Sequence, residues 1–150
     1  MYNQVKVKVN NIELYYEKIG EGRPLIMVHG NGEDHNIFTK SAEILSSKFE
    51  VYLIDSRGHG KSKYSGKLHS RSEQIKMMLE EPNIDPKLLR EIKVKTYITA
   101  GSRDMIYLKH MEYISKQIPN CNFKIFQGET HGSYVVKSII IGKYILSIIR

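Results

Sequence analysis

The sequence contains little cysteine and no long uninterrupted apolar run. Its single cysteine, Cys121, excludes an internal disulfide and a cysteine-based zinc site, and it suits a reducing compartment, so we expect a cytoplasmic protein. The most apolar stretch, residues 135–149, is interrupted by Lys137 and Lys143 and is shorter than the ~20 residues that a membrane span needs. It predicts a C-terminal helix packed on a core, and the alternating N-terminus predicts a strand rather than a signal peptide.

The sequence also lacks the residue spacings that hold metals and cofactors. Its six histidines show no His-Glu-x-x-His or comparable pattern, so we expect neither a metal nor another cofactor. The net charge of +7 permits nucleic-acid binding, but the lysines are scattered over predicted strands and helices alike. The densest basic stretch, residues 57–71, is typical of a solvated loop, and nucleic acid is not an expected partner.

The order of apolar patterns predicts one domain in which strands and helices alternate. A chain of 150 residues is long enough for a single domain with its own core, and neither linker nor repeat interrupts residues 1–150. Alternating strands and helices imply an α/β fold with a mostly parallel sheet and helices on both faces. The patterns predict a β-hairpin at 1–20, strands at 25–28, 51–54, 94–100 and 122–126, and helices at 36–48, around 75–79, at 86–92, 105–118 and 133–150.

Four short segments that follow predicted strands carry side chains suited to proton transfer and oxyanion binding. Functional groups in such folds lie beyond the carboxyl ends of the strands, so we expect all four on one edge. Imidazole shuttles protons near neutral pH, a carboxylate on its other nitrogen fixes the tautomer, and glycines let backbone amides approach a substrate oxygen. The segments are His29-Gly30-Asn31-Gly32, Asp55-Ser56-Arg57-Gly58-His59-Gly60-Lys61-Ser62, Ala100-Gly101-Ser102-Arg103-Asp104 and Thr130-His131-Gly132.

Taken in order, the four segments resemble those of α/β-hydrolases of the esterase and lipase type, and the resemblance covers nearly the whole chain. It implies that His131 is the catalytic base and that Asp104 is the acid that orients it. It also implies that the loop at His29 and Gly30 presents an oxyanion-binding amide, from Asn31 or Gly32. The substrate implied by the resemblance is a small carboxylic ester or a related acyl compound.

The serine expected between the second and third segments is missing. No Gly-x-Ser-x-Gly occurs in the 150 residues. Compared with the family, the chain looks as if an internal deletion near residues 63–74 had removed the nucleophile strand, the elbow and the lid. Ser62 is the candidate substitute nucleophile, although a small structural residue is usual at that position. The remaining candidates, which lack the glycine pattern of a nucleophile elbow, are Ser56, Ser102, Ser133 and Cys121.

The missing segment leaves two hypotheses for the fold and two for the function. If the flanking strands close up, six strands form one sheet in the order 1-2-4-3-5-6, which is a truncated α/β-hydrolase fold. If they do not, the gap invites a second molecule, because exposed strand edges are open to pairing. The first functional hypothesis is weak or absent ester hydrolysis, with water activated by the His131–Asp104 pair. The alternative is a pseudoenzyme, a non-catalytic remnant that binds or self-associates as a homo-oligomer through exposed sheet surface.

Overall fold

The computed structural model describes residues 1–9, 12–30, 32–62 and 85–149. The predicted helix around 75–79 and the predicted deletion near 63–74 lie outside these residues. The elements in chain order are β1 (Asn3–Val9), β2 (Ile12–Ile19), β3 (Arg23–Val28), a 3-10 helix (His35–Phe38), α1 (Thr39–Leu45), β4 (Phe49–Ile54), α2 (Pro86–Leu89), β5 (Thr96–Gly101), α3 (Leu108–Gln117), β6 (Cys121–Phe126) and α4 (Ile140–Ile148).

The chain divides into two compact units. The first contains Met1–Leu68 and Tyr134–Arg150, and the second contains His69–Ser133. Compact units within one chain need not fold independently, so the single-domain interpretation of residues 1–150 stays a prediction.

The first unit is built on a four-stranded sheet with the order β1-β2-β4-β3. β1 and β2 form the predicted antiparallel hairpin, whereas β3 and β4 run parallel with Val28 opposite Ile54. Because parallel strands end at the same edge, His29 after β3 and Asp55 after β4 emerge side by side. This order agrees with the first four positions of the predicted sheet.

Apolar side chains on one face of this sheet pack against α1 and α4. The inward residues of β4, Val51 and Leu53, are completely buried because the strand alternates between a covered and an open face. The two helices approach closely at Gly142, where an added Cβ would press on the Ser41 backbone. In this unit the described helices cover one face, where the prediction placed helices on both. The buried apolar core consists of Met27, Phe38, Ala42, Leu45, Phe49, Val51 and Leu53.

The second unit contains β5 and β6, which form a separate two-stranded parallel sheet with Gly101 opposite Phe126. All six predicted strands are therefore present, hydrogen-bonded as a sheet of four and a sheet of two. A pairing of β3 with β5, which the predicted order 1-2-4-3-5-6 requires, does not occur among the described residues, in which β3 pairs with β4 alone. Over the same ranges, no helix has the length and apolar character that crossing a membrane demands.

Two helices begin later than predicted, because side chains near their starts bind other groups. The helix predicted from residue 105 begins at Leu108, since the Asp104 carboxylate accepts the Ile106 amide in a turn before it. The helix predicted from Ser133 begins at Ile140, and turns occupy the residues between. The Ser133 hydroxyl accepts the Thr130 amide instead of capping the helix.

Candidate functional site

The first loop of the candidate site is held to the edge of the four-stranded sheet by His29. This side chain is buried at the end of β3. Its Nδ1 donates to the Gly30 carbonyl oxygen at 2.7 Å, and its Nε2 accepts the Ser56 amide at 3.0 Å. Because a carbonyl oxygen only accepts and an amide only donates, the imidazole is the neutral tautomer with its proton on Nδ1. His29 therefore ties the loop after β3 to the loop after β4.

Both described amides of the predicted oxyanion loop already have partners within the loops. The Gly30 amide donates to the Glu33 carboxylate at 3.2 Å, and the Gly32 amide donates to His59 Nε2 at 3.2 Å. The rings of His29 and His59 lie 5.2 Å apart between centroids. Asn31, the other residue expected to supply an amide, lies outside the described residues.

Asp55 is completely buried at the end of β4 and binds the beginning of the 3-10 helix. One carboxylate oxygen accepts the His35 amide at 2.9 Å and His35 Nδ1 at 2.7 Å, and the other accepts the Lys61 amide at 2.8 Å. Burial opposes ionisation, but these hydrogen bonds outweigh it and hold the pKa of Asp55 below its ordinary value. The carboxylate thus joins two loops and the start of the 3-10 helix by hydrogen bonds.

His35 connects Asp55 to a second buried carboxylate, Glu17 of β2. His35 Nε2 lies 3.3 Å from the Glu17 carboxylate, which also accepts the Tyr15 hydroxyl at 2.5 Å. Burial, followed by this hydrogen bond, raises the pKa of Tyr15. Lys61 completes the cluster by donating to the Tyr15 hydroxyl at 2.9 Å. Tyr15, Glu17 and His35 of this polar cluster are not among the candidate residues predicted from the sequence.

The sequence contained one indication of that cluster, a polar residue on the inward face of β2. Tyr15 and Glu17 alternate with outward residues, so Glu17 points into the core side of the sheet. A buried carboxylate needs a hydrogen-bond donor, and His35 is a histidine to which the sequence motifs assign no role. Sequence patterns alone do not pair residues 18 positions apart, which is why the partner was missed.

Ser62, the candidate substitute nucleophile, is buried and both sides of its hydroxyl are occupied. The oxygen accepts the Tyr15 amide at 2.8 Å and donates to the Asp55 carbonyl oxygen at 2.7 Å. These bonds close the loop after β4 onto β2. The geometry favours the structural interpretation of Ser62 over the nucleophilic one.

Asp104 and His131 are brought together in the second unit, at the carboxyl end of its two-stranded sheet. His131 Nδ1 lies 2.9 Å from Asp104 Oδ1, and that carboxylate is buried whereas the imidazole is 53% exposed. Burial opposes ionisation of Asp104. Hydrogen bonds from the amides of Ile106 and Gly101 and from His131 outweigh it, so the pKa of Asp104 lies below its ordinary value. An ionised acid that accepts from Nδ1 leaves the lone pair of His131 on Nε2.

The loops that carry this pair are bound to each other by main-chain and side-chain hydrogen bonds. The Arg103 amide donates to the Glu129 carbonyl oxygen at 2.9 Å, and the Gly128 amide donates to the Ser102 hydroxyl at 2.8 Å. At Gly101 a Cβ would overlap the Glu129 carbonyl oxygen, so only glycine permits this approach. The acid–histidine geometry is therefore built on a rigid pair of loops.

Three other nucleophile candidates, Ser133, Ser102 and Cys121, are placed away from a base or are already hydrogen-bonded. The Ser133 hydroxyl accepts a hydrogen bond from the Thr130 amide of its own loop, and the Ser102 hydroxyl accepts one from the Gly128 amide of the loop after β6. Cys121 lies at the amino end of β6, opposite Thr96, whereas His131 follows the carboxyl end of that strand. Within the described part of the chain, no serine hydroxyl is hydrogen-bonded to His131, and no three His, Cys, Asp or Glu side chains are grouped to hold a metal.

Comparison with curated proteins shows similarity to esterases over part of the chain. The chain is 39% identical over 51 residues to a pimeloyl-[acyl-carrier protein] methyl ester esterase of Chromobacterium violaceum, a match that covers 34% of this chain and 20% of the relative. It is 35% identical over 69 residues to the enzyme of the same name from Vibrio cholerae, covering 45% of this chain and 26% of the relative. These matches thus span about a fifth to a quarter of the relatives' length.

Solved structures extend the similarity in fold to nearly the whole chain. A serine hydrolase involved in carbazole degradation matches with a TM-score of 0.79 at 14% identity, covering 98% of each chain. A thermophilic esterase from Thermogutta terrifontis matches with a TM-score of 0.77 at 14% identity, covering 97% of each chain. Residues 23–80 match the family model described as alpha/beta hydrolase fold. The family match therefore covers residues 23–80, and the solved hydrolases share the α/β-hydrolase fold over nearly the whole chain.

Proposed function

We propose that this chain hydrolyses small carboxylic esters or related acyl compounds weakly, with water in place of the superfamily's serine. The names of the esterase relatives support the substrate class. The absence of Gly-x-Ser-x-Gly supports the change of nucleophile. The observation that carries the proposal is the Asp104–His131 pair, with 2.9 Å between carboxylate and Nδ1.

The pair provides what general-base activation of water requires. Asp104 fixes the tautomer, so that Nε2 of the exposed His131 takes a proton from water as the oxygen attacks the ester carbonyl carbon. The tetrahedral oxyanion then collapses, the bond to the alcohol oxygen breaks, and His131 returns the proton to that oxygen. The products are a carboxylic acid and an alcohol.

The residues around Gly30 and Gly32 correspond to the superfamily's oxyanion loop, and we propose an oxyanion-binding amide for this loop. The superfamily's second donor, the amide after the serine, belongs to the missing motif. Losing one such donor typically lowers the rate 10²- to 10³-fold, which is a further reason to expect slow turnover.

The proposal is tested by the rate of p-nitrophenyl acetate hydrolysis in His131→Ala. Loss of a general base lowers the rate by about 10²- to 10⁴-fold, so the variant should fall to the buffer rate. His110→Ala, which removes an exposed histidine on α3 outside the pair, is the matched control and should hydrolyse like the unchanged protein. Equal rates in His131→Ala and the unchanged protein would refute the mechanism.

Labelling with a fluorophosphonate separates water from a substitute serine. The reagent adds to an activated serine and raises the intact mass, whereas activated water leaves no adduct. We expect no adduct on the folded protein. An adduct mapped to Ser62, Ser56 or Ser133 would show that this serine, and not activated water, is the nucleophile.

A second candidate function is self-association through β3. Ile26 and Val28 lie on the open face of this strand with 61% and 60% of their surface exposed, and β3 pairs with β4 alone among the described strands. Adjacent exposed apolar residues on an edge strand favour pairing with a second copy. Sedimentation across a hundredfold range of concentration tests this: Ile26→Lys should remain monomeric where the unchanged protein dimerises. A protein monomeric at every concentration would remove this candidate.

A further inference from the structure

We propose that His59 is an intramolecular ligand of the Gly32 amide and that it competes there with carbonyl or carboxylate oxygens. The donor and the acceptor are both described, and 3.2 Å separates the Gly32 amide nitrogen from His59 Nε2. The use of the Gly32 amide in ester hydrolysis rests on the proposed function, whereas the competition between His59 and an oxygen ligand does not.

The tautomer of His59 makes this contact an attractive one. His59 Nδ1 lies 3.2 Å from the Arg57 carbonyl oxygen, which only accepts, so Nδ1 carries the proton. Nε2 then presents a lone pair to the Gly32 amide, as a substrate oxygen would. The adjacent His29 ring, fixed by two hydrogen bonds of its own, packs against His59 and limits where its ring can lie.

The backbone at Gly32 leaves room for an external ligand. Gly32 is exposed and its φ is +79°, and no atom of the described residues beyond its chain neighbours lies within 4 Å of the place where a Cβ would stand. A ligand oxygen therefore reaches this amide by displacing the imidazole rather than by moving the backbone. Two residues earlier, the Gly30 amide donates to the Glu33 carboxylate at 3.2 Å, which shows that an amide of this loop can donate to a carboxylate oxygen.

The His59 contact lowers the affinity of the Gly32 amide for an external oxygen ligand by the free energy of one exposed hydrogen bond. A neutral hydrogen bond contributes about 0.5–1.5 kcal/mol net, equivalent to a factor of about two to ten. Removing the acceptor should therefore raise the affinity of the Gly32 amide for an oxygen ligand two- to tenfold.

Nuclear magnetic resonance of the ¹⁵N-labelled full chain tests the contact directly. An N–H···N hydrogen bond carries a scalar coupling, so the unchanged protein should show one between the Gly32 amide nitrogen and His59 Nε2. His59→Phe keeps a ring beside His29 but has no acceptor, and acetate should then bind the Gly32 amide two- to tenfold more tightly. His59→Ala provides the same comparison if the larger ring prevents folding, and His110→Ala is the control that should match the unchanged protein.

Two results would overturn the proposal. One is an absent coupling in the folded protein, and the other is an acetate affinity that is equal in the unchanged protein and in His59→Phe. The proposed hydrolysis fails separately, when p-nitrophenyl acetate is not turned over by any variant. In that event the coupling and the acetate titration still decide whether His59 occupies the amide.

Discussion

The strongest stability prediction concerns Asp55, whose carboxylate joins two loops and the start of the 3-10 helix. We expect Asp55→Asn to lower the free energy of unfolding by about 3–5 kcal/mol, the range for breaking a buried charged pair. The carboxylate is completely buried and accepts three hydrogen bonds, from the His35 amide, from His35 Nδ1 and from the Lys61 amide.

The magnitude follows from what an amide does in this place. The oxygen of the substituted side-chain amide still accepts hydrogen bonds from His35. Its NH₂ group then faces the Lys61 N–H, so two hydrogen-bond donors face each other without an acceptor. An unpaired buried donor costs about 1–3 kcal/mol, and hydrogen bonds to a neutral acceptor are about half as strong as those to a charged one. Together these terms give about 3–5 kcal/mol, a large part of the 5–15 kcal/mol by which small proteins are stable.

Urea unfolding followed by circular dichroism measures this difference. With a urea dependence of about 1–3 kcal/mol per molar, the midpoint of Asp55→Asn should lie at least about 1 M lower. Asp34→Asn is the matched control, because it makes the same chemical change at an exposed helix cap where asparagine serves equally well. Equal midpoints for the two variants would refute the claim that the buried carboxylate organises these loops.

Three further predictions use the same measurement. Gly60→Ala should cost at least about 2 kcal/mol, because φ is +51° and the Cβ would overlap the Asp55 carboxylate, whereas Gly32→Ala, with open space, should cost about 1 kcal/mol. Asp55 and Asp104 have lowered pKa values, so their stabilisation is complete above about pH 4 and is lost as the pH falls through the lowered values; a midpoint unchanged from pH 6 to 2 would contradict this. Ser62→Ala should cost about 1–3 kcal/mol by leaving a buried amide of β2 unpaired, and a smaller loss would show that water replaces the hydroxyl.

Much of the fold could be predicted because its signals are local. Alternation over residues 1–20 and continuous apolar runs placed the hairpin and the buried strands, and the strand order within the four-stranded sheet followed from the family resemblance. Helix starts were less predictable, because Asp104 and Ser133 bind neighbouring loop amides instead of capping helices. The predicted pairing of β3 with β5 depended on how the family strand order was applied to this chain, and no local pattern reports which strands pair.

The candidate site was predictable where the sequence motif and the geometry depend on the same residues. Asp104 and His131 were paired because each follows a strand and the resemblance assigns them to one another, and the structure places them 2.9 Å apart. His35 and Glu17 were not found, because their pairing depends on which strand lies beside which loop. Ser62 was placed correctly in the loop, but only the structure shows its hydroxyl enclosed by main-chain partners.

The motif residues fall into two groups with different consequences for catalysis. His29, Asp55 and Ser62 use their hydrogen bonds to join loops and strands, so folding alone would retain them whether or not the chain catalyses hydrolysis. His131 differs, because its imidazole is half-exposed and its one hydrogen bond among the described residues goes to Asp104. Replacing it should therefore cost little stability. A variant that folds as well as the unchanged protein and loses hydrolysis would assign His131 to chemistry, whereas equal stability with equal activity would show that hydrolysis does not depend on His131.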